Sequence, residues 1–140
     1  MSTHAAVANQ KVEFELGSQT YCVDIEYITE VSDVKPITAL PNSAAHVRGM
    51  MDLRGRTTSV VDPRVLFDVE GAGDSESVLV FDPETMDGAT GWIVDEVTQV
   101  TDIADDAVHD PPADSDEAVR GVIRRDDEFV IWIEPTAVAN

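Results

Sequence analysis

One segment of this chain occurs twice, and the repeat limits what the chain can fold into. VRGMMDLRGRTTSVVDP at residues 47–63 aligns without a gap with VRGVIRRDDEFVIWIEP at 119–135, at an offset of 119 − 47 = 72. VDIEYITEVSDV at 23–34 aligns with WIVDEVTQVTDI at 92–103, at an offset of 92 − 23 = 69. A unit as short as one copy is marginally stable alone. We therefore expect two similar units that pack against each other.

The apolar pattern within each copy is typical of short β-strands. VEFEL alternates, with Val12, Phe14 and Leu16 on one face. ESVLVFD and GATGWIV predict a hairpin across PETMDG. EFVIWIE is apolar on both faces, which predicts a fully buried strand. The spacing over residues 24–30 is compatible with either a helical turn or an irregular strand.

Turn signals fall at matching places in the two copies. Arg54-Gly55 and Asp126-Asp127 lie between strands, where two-residue hairpin turns are expected. VEGAGDSES is expected to link the halves, and DDAVHDPPADSDEAV to form an acidic loop with room for one helical turn. Short strands with frequent turns predict an all-β fold built from small barrels.

The chain is strongly acidic, with 28 Asp and Glu residues against 9 Lys and Arg residues and a formal net charge of −19. Such a charge repels nucleic acid and anionic membrane surfaces, so neither is expected as a partner. The acids are spread along the chain, which is typical of a salt-rich cytoplasm such as that of a haloarchaeon. At 1 M salt the Debye length is about 3 Å, and partners must then be held by apolar and hydrogen-bonded contacts.

Other features of the sequence argue against secretion, metal binding and catalysis. No apolar run is long enough to span a membrane and no secretory signal is visible, which predicts a cytoplasmic protein. Cys22 is the single cysteine, so an internal disulfide and a cysteine-cluster metal site are excluded. The acidic loop lacks the spacing of a calcium loop, and no glycine-rich phosphate loop is present. A carboxylate-based hydrolase remains the enzymatic alternative. In a chain with 28 Asp and Glu residues, however, pairs of neighbouring carboxylates are expected by chance. We predict no catalytic residue, cofactor or metal.

HVRGMMDLRGRTTSVVDPRVLF resembles the hallmark segment of the CheW family of chemotaxis coupling proteins. That segment has an apolar-basic-Gly opening, an Asn/Asp-Leu-Arg-Gly turn, an apolar strand ending in Asp and an Arg-containing helix start. IEYITEVSDVKPITALPNSAAHV also fits the family. The resemblance covers residues 11–137 and implies two five-stranded SH3-like β-barrels packed side by side. We expect one CheW-like domain over 11–138, with barrels over about 11–70 and 77–138, after a flexible tail at 1–10.

The resemblance also implies a function, that of an adaptor without catalytic activity. CheW-like proteins bridge chemoreceptor cytoplasmic tips to the regulatory domain of the histidine kinase CheA, and the receptor hairpin tip lies along the groove between the barrels. This implies a cytoplasmic protein recruited to membrane-associated receptor arrays. A regulatory module of the same family for a different sensor kinase or receptor set is the alternative that the sequence leaves open.

The two copies provide an internal control for candidate site residues, because a feature that the fold needs should appear in both. Arg48 and Gly49 recur at an offset of 72, which favours a structural role. Val31 recurs as Val100, which favours core packing.

Two charged residues do not recur. The counterpart of Arg54 is Asp126 and the counterpart of Glu30 is Gln99, so the fold requires neither charge. Both are therefore candidates for partner contact, Arg54 as a planar donor. The family resemblance favours the same segment.

The remaining candidates are mostly apolar. Ile37 and Leu40 lie in a loop that should be polar if nothing bound there. Met50 is expected first of all to fill the core, but methionine also suits an adaptable binding surface. Gly55 serves the turn. The predicted partner-binding set is Glu30, Val31, Ile37, Leu40, Arg48, Met50, Arg54 and Gly55.

Overall fold

The regular structure of the described residues consists mainly of short strands, as the apolar pattern predicts. The structure is a computed structural model that describes residues 10–69, 77–86 and 88–138. The predicted flexible tail, apart from Gln10, and most of the predicted link between the halves lie outside these residues. The strands are β1 Gln10–Leu16, β2 Gln19–Asp24, β3 Ile28–Asp33, β4 Val47–Leu53, β5 Arg56–Val61, β6 Ser77–Phe81, β7 Thr90–Val94, β8 Glu96–Asp102, β9 Val108–His109, β10 Val119–Arg125 and β11 Glu128–Ile133; α1 is Pro63–Leu66, and 3₁₀ turns lie at Ile25–Tyr27, Asp105–Ala107 and Pro135–Ala137.

The strands form two sheets. One has the order β3-β6-β7-β5-β4, and the other has the order β8-β1-β2-β11-β10-β9. We call them the five-stranded and the six-stranded sheet. Because β9 contains only two residues, each sheet has five longer strands, in agreement with the predicted pair of five-stranded barrels.

Each sheet takes strands from both halves of the chain. Hairpin β1–β2 lies among second-half strands, where β2 pairs in parallel with β11, and hairpin β6–β7 lies among first-half strands, where β7 pairs in parallel with β5. The predicted division into barrels over 11–70 and 77–138 therefore needs correction. The repeat fixes the order of elements within a half, whereas each sheet is completed by the hairpin of the other half.

Most predicted local features are confirmed. ESVLVFD and GATGWIV form the hairpin β6–β7, and both predicted two-residue turns are present, with Leu53 opposite Arg56 and Arg125 opposite Glu128. The ambiguous stretch 24–30 contains both alternatives, a 3₁₀ turn followed by the start of β3. The acidic loop contains its helical turn and the short strand β9.

The largest core cluster lies between the sheets and is centred on Trp92. Its indole is 1% exposed and meets the rings of Phe14, Phe67 and Phe81 edge-on, at centroid distances of 6.2, 6.0 and 5.0 Å. Val12, Phe14 and Leu16 belong to this cluster, as the alternation of VEFEL predicts. Two smaller clusters lie elsewhere: one contains Met51, Leu53, Val60, Val78, Val80 and Ile93, and the other contains Cys22, Ile103, Ile123 and Val130.

The prediction that EFVIWIE is fully buried is wrong. Val130 and Ile133 are buried, but Phe129 is 53% exposed and Trp132 is half-buried. Pairing with β2 begins only at Val130, so the start of β11 extends beyond its neighbour. A strand can thus be apolar on both faces without being covered on both faces.

Candidate partner-binding site

The site begins at the turn between β4 and β5. Arg54 and Gly55 both have positive φ, 55° and 82°, as a type I′ hairpin turn requires. Asp126 occupies the matching turn of the other sheet with φ of 51°. Since the same backbone conformation accepts aspartate in one copy and arginine in the other, the turn does not explain the guanidinium of Arg54.

Arg54 and Glu30, which the sequence flags separately, meet in the structure. Arg54 Nη1 lies 3.0 Å from Glu30 Oε2, and the Arg54 side chain is 77% exposed. The pair connects β3 with the β4–β5 turn, and β3 and β4 are the two outer strands of the five-stranded sheet. Exposed ion pairs contribute at most about 1 kcal/mol to stability. The fold therefore does not depend on this pair, and its charges are available to a partner.

In the other sheet the matching positions behave differently. Gln99, the counterpart of Glu30, donates a hydrogen bond from Nε2 to Glu13 Oε1 at 3.2 Å. Glu13 is buried and also forms an ion pair with Arg125. Burial alone would raise the pKa of Glu13, but hydrogen bonds from Arg125 and Gln99 outweigh it and lower the pKa. The exposed Glu30–Arg54 pair is thus a property of the five-stranded sheet.

Two adjoining hollows bring most of the predicted site residues onto one surface. The first, which we call the edge hollow, contains Glu30, Val31 and Arg54, and the second, the loop hollow, contains Leu40 and Met50. Asp52 lines both hollows, so they are neighbours on the surface. The remaining lining residues are Ser32, Asp33, Lys35 and Leu53 in the edge hollow and Pro36, Thr38, Met51 and Thr57 in the loop hollow.

The expectation that Val31 packs in the core is wrong. Val31 is 47% exposed, and its counterpart Val100 is 53% exposed. Each lies on an outer strand, β3 or β8, with a paired strand on one side only. The recurrence therefore marks equivalent sheet edges rather than equivalent core positions, and Val31 is accessible to a partner.

Ile37 and Met50 are held against the sheet by the backbone. The segment after β3 returns to β4 through an isolated bridge in which the Thr38 N–H donates to Met50 O at 2.8 Å and the Met50 N–H donates to Thr38 O at 2.9 Å. Ile37 is half-buried against the cluster that contains Met51. Ile37 therefore anchors the loop, whereas Leu40 and Met50 line the hollow.

Gly49 has the structural role that its recurrence predicts. Its φ is 142°, and a Cβ there would lie 2.1 Å from the carbonyl oxygen of Thr38. A Cβ on Gly121 would lie 2.5 Å from Val108 Cγ1. Both glycines thus allow a neighbouring segment to approach the strand closely.

Arg48 is also explained by the fold. Arg48 Nη1 lies 3.3 Å from Asp62 Oδ2, and Arg120 Nη1 lies 3.1 Å from Glu134 Oε1 at the equivalent place. An equivalent ion pair thus joins the beginning and the end of the repeated segment in both copies. Arg48 lines neither hollow, and its ion-pair partner is the carboxylate of the residue that follows β5.

A buried charge cluster beside α1 was not predicted. Asp62 caps the helix and accepts from Arg64 Nε and Nη2 at 2.9 and 3.0 Å, while Arg64 Nη1 donates to Asp95 Oδ1 at 3.1 Å. The other Asp95 oxygen accepts from the Gly17 N–H at 2.7 Å. Burial alone would raise the pKa of Asp62, but the hydrogen bonds from Arg64 outweigh it and lower the pKa. The cluster ties α1 to the β1–β2 turn and the β7–β8 junction.

An apolar groove runs between α1, which follows β5 of the five-stranded sheet, and the six-stranded sheet. Leu66 and Phe67 form one part of it, with Asp68 and Asp116 at the same surface. We call it the interbarrel groove. Its other apolar lining residues are Tyr21, Ala118, Val119, Ile131, Ile133, Ala137 and Val138.

The described residues offer no arrangement for metal chemistry. Within residues 10–69, 77–86 and 88–138, no three His, Cys, Asp or Glu side chains are grouped so that they could hold a metal ion. Burial raises the pKa of the Cys22 thiol to about 12, which leaves it protonated and poorly nucleophilic. No helix in the described part of the chain has the length and apolar character needed to cross a membrane.

Known proteins resemble this chain over nearly its full length. The family model described as a CheW-like domain matches residues 10–140. A probable chemotaxis protein CheW of Rhizobium etli is 24% identical over 131 residues, which cover 91% of this chain and 84% of that protein. Chemotaxis protein CheW of Thermotoga maritima is 27% identical over 127 residues, which cover 88% and 82%.

A solved structure supports the same relationship. The crystal structure of scaffolding protein TtCheW from Thermoanaerobacter tengcongensis matches with a TM-score of 0.83 and 27% identity, over 95% of this chain and 88% of that chain. The match confirms the predicted fold class. The repeat, the paired sheets and these relatives together show that the chain belongs to the CheW family of chemotaxis scaffold proteins, which are not enzymes.

Proposed function

We propose that this chain couples the cytoplasmic tips of chemoreceptors to the histidine kinase CheA, as a cytoplasmic adaptor recruited to membrane-associated receptor arrays. The observation that carries the proposal is the CheW-like match over residues 10–140 of a chain whose surface offers hollows and a groove. The unit that acts is a single domain over 11–138. No step of this function requires a bond to be made or broken.

The contact surface on the five-stranded sheet consists of the edge hollow and the loop hollow. Val31, Leu40 and Met50 supply apolar area, and the Glu30–Arg54 pair supplies charges and donors. Ile37 and Gly55 support this surface, because Ile37 anchors the loop and Gly55 makes the turn, whereas Arg48 serves the fold through its ion pair with Asp62. The interbarrel groove is the surface for the receptor hairpin.

Arg54→Asp is expected to weaken the complex with the CheA regulatory domain or the receptor hairpin by about tenfold or more, because interface arginines are frequent hot spots. The fold should remain, since aspartate already occupies the matching turn position with nearly the same φ. Titration calorimetry at molar salt gives the affinity, and far-ultraviolet circular dichroism reports the sheets.

Asp126→Arg is the matched control, because it makes the reverse exchange in the equivalent turn of the six-stranded sheet. It should leave both affinities within about twofold of wild type. Loss of the β-sheet spectrum in Arg54→Asp would show that Arg54 serves the fold, and unchanged affinity for both partners would remove it from the site.

We also propose that the chain works in a salt-rich cytoplasm such as a haloarchaeal one. The support is the net charge of −19, which destabilises a compact state unless salt screens it. Lowering the salt from about 1 M to about 0.1 M lengthens the Debye length from about 3 to about 10 Å. The midpoint of thermal unfolding should therefore fall steeply on dilution.

Asp105→Asn combined with Asp106→Asn is a useful comparison, because both residues are exposed in the acidic loop. The double variant should show a shallower dependence of the unfolding midpoint on salt. A wild-type midpoint that is the same at both salt concentrations would contradict adaptation to salt.

A further inference from the structure

Two thirds of the positive charges of this acidic chain are paired. All nine Lys and Arg residues lie in the described part of the chain, and six of them have a carboxylate within ion-pair distance. Lys35, Arg56 and Arg124 are exposed and have no ion pair among the described residues. Their guanidinium or ammonium groups are the cations most available to an external ligand.

Arg56 lies in a third hollow, which we call the arginine hollow. It shares Glu30, Leu53 and Arg54 with the edge hollow and continues from them along the sheet. Arg56 and Arg54 are its two cations, and Glu30, already paired with Arg54, is its one carboxylate. The rest of the lining is apolar or carries hydroxyl groups: Thr29, Thr58, Val80, Phe81, Pro83 and Ala89.

The charge of this hollow differs from that of the other surfaces described above. The interbarrel groove is lined by carboxylates without a cation, and in the edge hollow Lys35 and Arg54 face three carboxylates. The arginine hollow alone among these has more cations than carboxylates in its lining. On a chain with a net charge of −19, an acidic group is repelled nearly everywhere else.

We propose that the arginine hollow binds an acidic side chain of the partner protein, with Arg56 as the residue that selects it. This inference rests on the proposed adaptor function and adds the chemistry of the contact. The planar guanidinium of Arg56 can donate two parallel hydrogen bonds to a carboxylate. Val80, Phe81 and Pro83 form an apolar wall of the same hollow, and an apolar surrounding strengthens such a pair relative to one in solvent. An aliphatic stem on the partner residue would pack on the same wall.

The first test compares two reversals of charge. Arg56→Glu should weaken binding of the CheA regulatory domain or the receptor hairpin by about tenfold or more, whereas Arg124→Glu should change it less than about twofold. Both substitutions alter the net charge equally, and both replace an exposed arginine without an ion pair in the described structure. Measurement at 1 M salt suppresses the long-range effect of net charge. Equal effects of the two variants would overturn the inference.

The second test locates the carboxylate. Arg56→Lys in a Lys35→Arg background places an amine in the hollow. The one other lysine of this variant, Lys11, is buried at 3% exposure. A zero-length carbodiimide should then join position 56 to an Asp or Glu of the partner, as mapped by mass spectrometry. Arg124→Lys in the same background should give no such product. Partner cross-links at position 124 and none at position 56 would overturn the inference.

The outcomes separate this inference from the adaptor function. A wild-type complex that is insensitive to Arg56→Glu leaves the adaptor function standing and refutes the acidic contact. Failure of the wild-type chain to bind either partner refutes both. Thermal unfolding of each variant must match wild type within a few degrees, and Arg56→Gln serves as a milder second variant if Arg56→Glu unfolds.

Discussion

Arg64→Met should lower the free energy of unfolding by about 3–5 kcal/mol, the usual cost of removing one partner from a buried ion pair. The substitution leaves the carboxylates of Asp62 and Asp95 buried without the guanidinium that they share. Urea denaturation followed by circular dichroism at molar salt measures the loss. Arg124→Met is the control, because Arg124 is exposed, and it should cost less than about 0.5 kcal/mol.

The loss in Arg64→Met should shrink as the pH falls. In the wild-type protein the pKa of Asp62 is lower in the folded state than in the unfolded state. This difference stabilises the fold above the unfolded-state pKa, and the stabilisation is lost as the pH falls through the folded-state pKa. Without Arg64, burial should raise the Asp62 pKa, so protonation stabilises the folded variant. The two denaturation midpoints should therefore approach each other between neutral pH and about pH 4. A constant difference, or a loss below about 1 kcal/mol, would show that the cluster is not electrostatically coupled.

Trp92→Ala is the second large effect that we expect, a loss of about 3–5 kcal/mol. Trp92 is 1% exposed and touches rings from both sheets and from the residue after α1. The cavity would therefore weaken the contact between the sheets, and both should unfold together in one transition. Urea denaturation by circular dichroism, with Trp132 fluorescence as a second probe, tests this.

Phe129→Ala is the matched control for a lost aromatic ring. Phe129 is 53% exposed at the start of β11, and we expect its removal to cost less than about 1 kcal/mol. If the two probes gave separate transitions in Trp92→Ala, the sheets would be independent units and the central cluster would not join them. A similar small loss in both variants would contradict the central role of Trp92.

The sequence predicts the strands and turns of this protein well because those features are local. Alternation places Phe14 and Leu16 on the core side, and two-residue turns leave a clear signal. The exchange of hairpins is not local. Tyr21 pairs with Ile131 across a parallel contact between chain ends, and alternation carries no information about which strand becomes the neighbour.

Two residues of the site could be predicted from the sequence because the repeat allows the two copies to be compared. Glu30 and Arg54 differ from their counterparts in the second copy, so the repeat itself marked them. Their meeting depends on the curvature that brings outer strands together, and no spacing rule predicts it. The recurrence of Val31 as Val100 shows that the two positions are equivalent but not whether they are covered, and both are exposed. Arg64 has Asp62 nearby in sequence, but its second partner Asp95 comes from a distant junction.

The exchanged hairpins set an order for synthesis on the ribosome. All strands of the five-stranded sheet have been made once Val94 has been added, whereas β1–β2, the first hairpin to emerge, lacks β11 until Ile133. During that interval the edge of β2 that pairs with β11 has no strand beside it. The sheet that contains this early hairpin is thus the second to be completed, and folding yield should be most sensitive to chaperones that bind the hairpin.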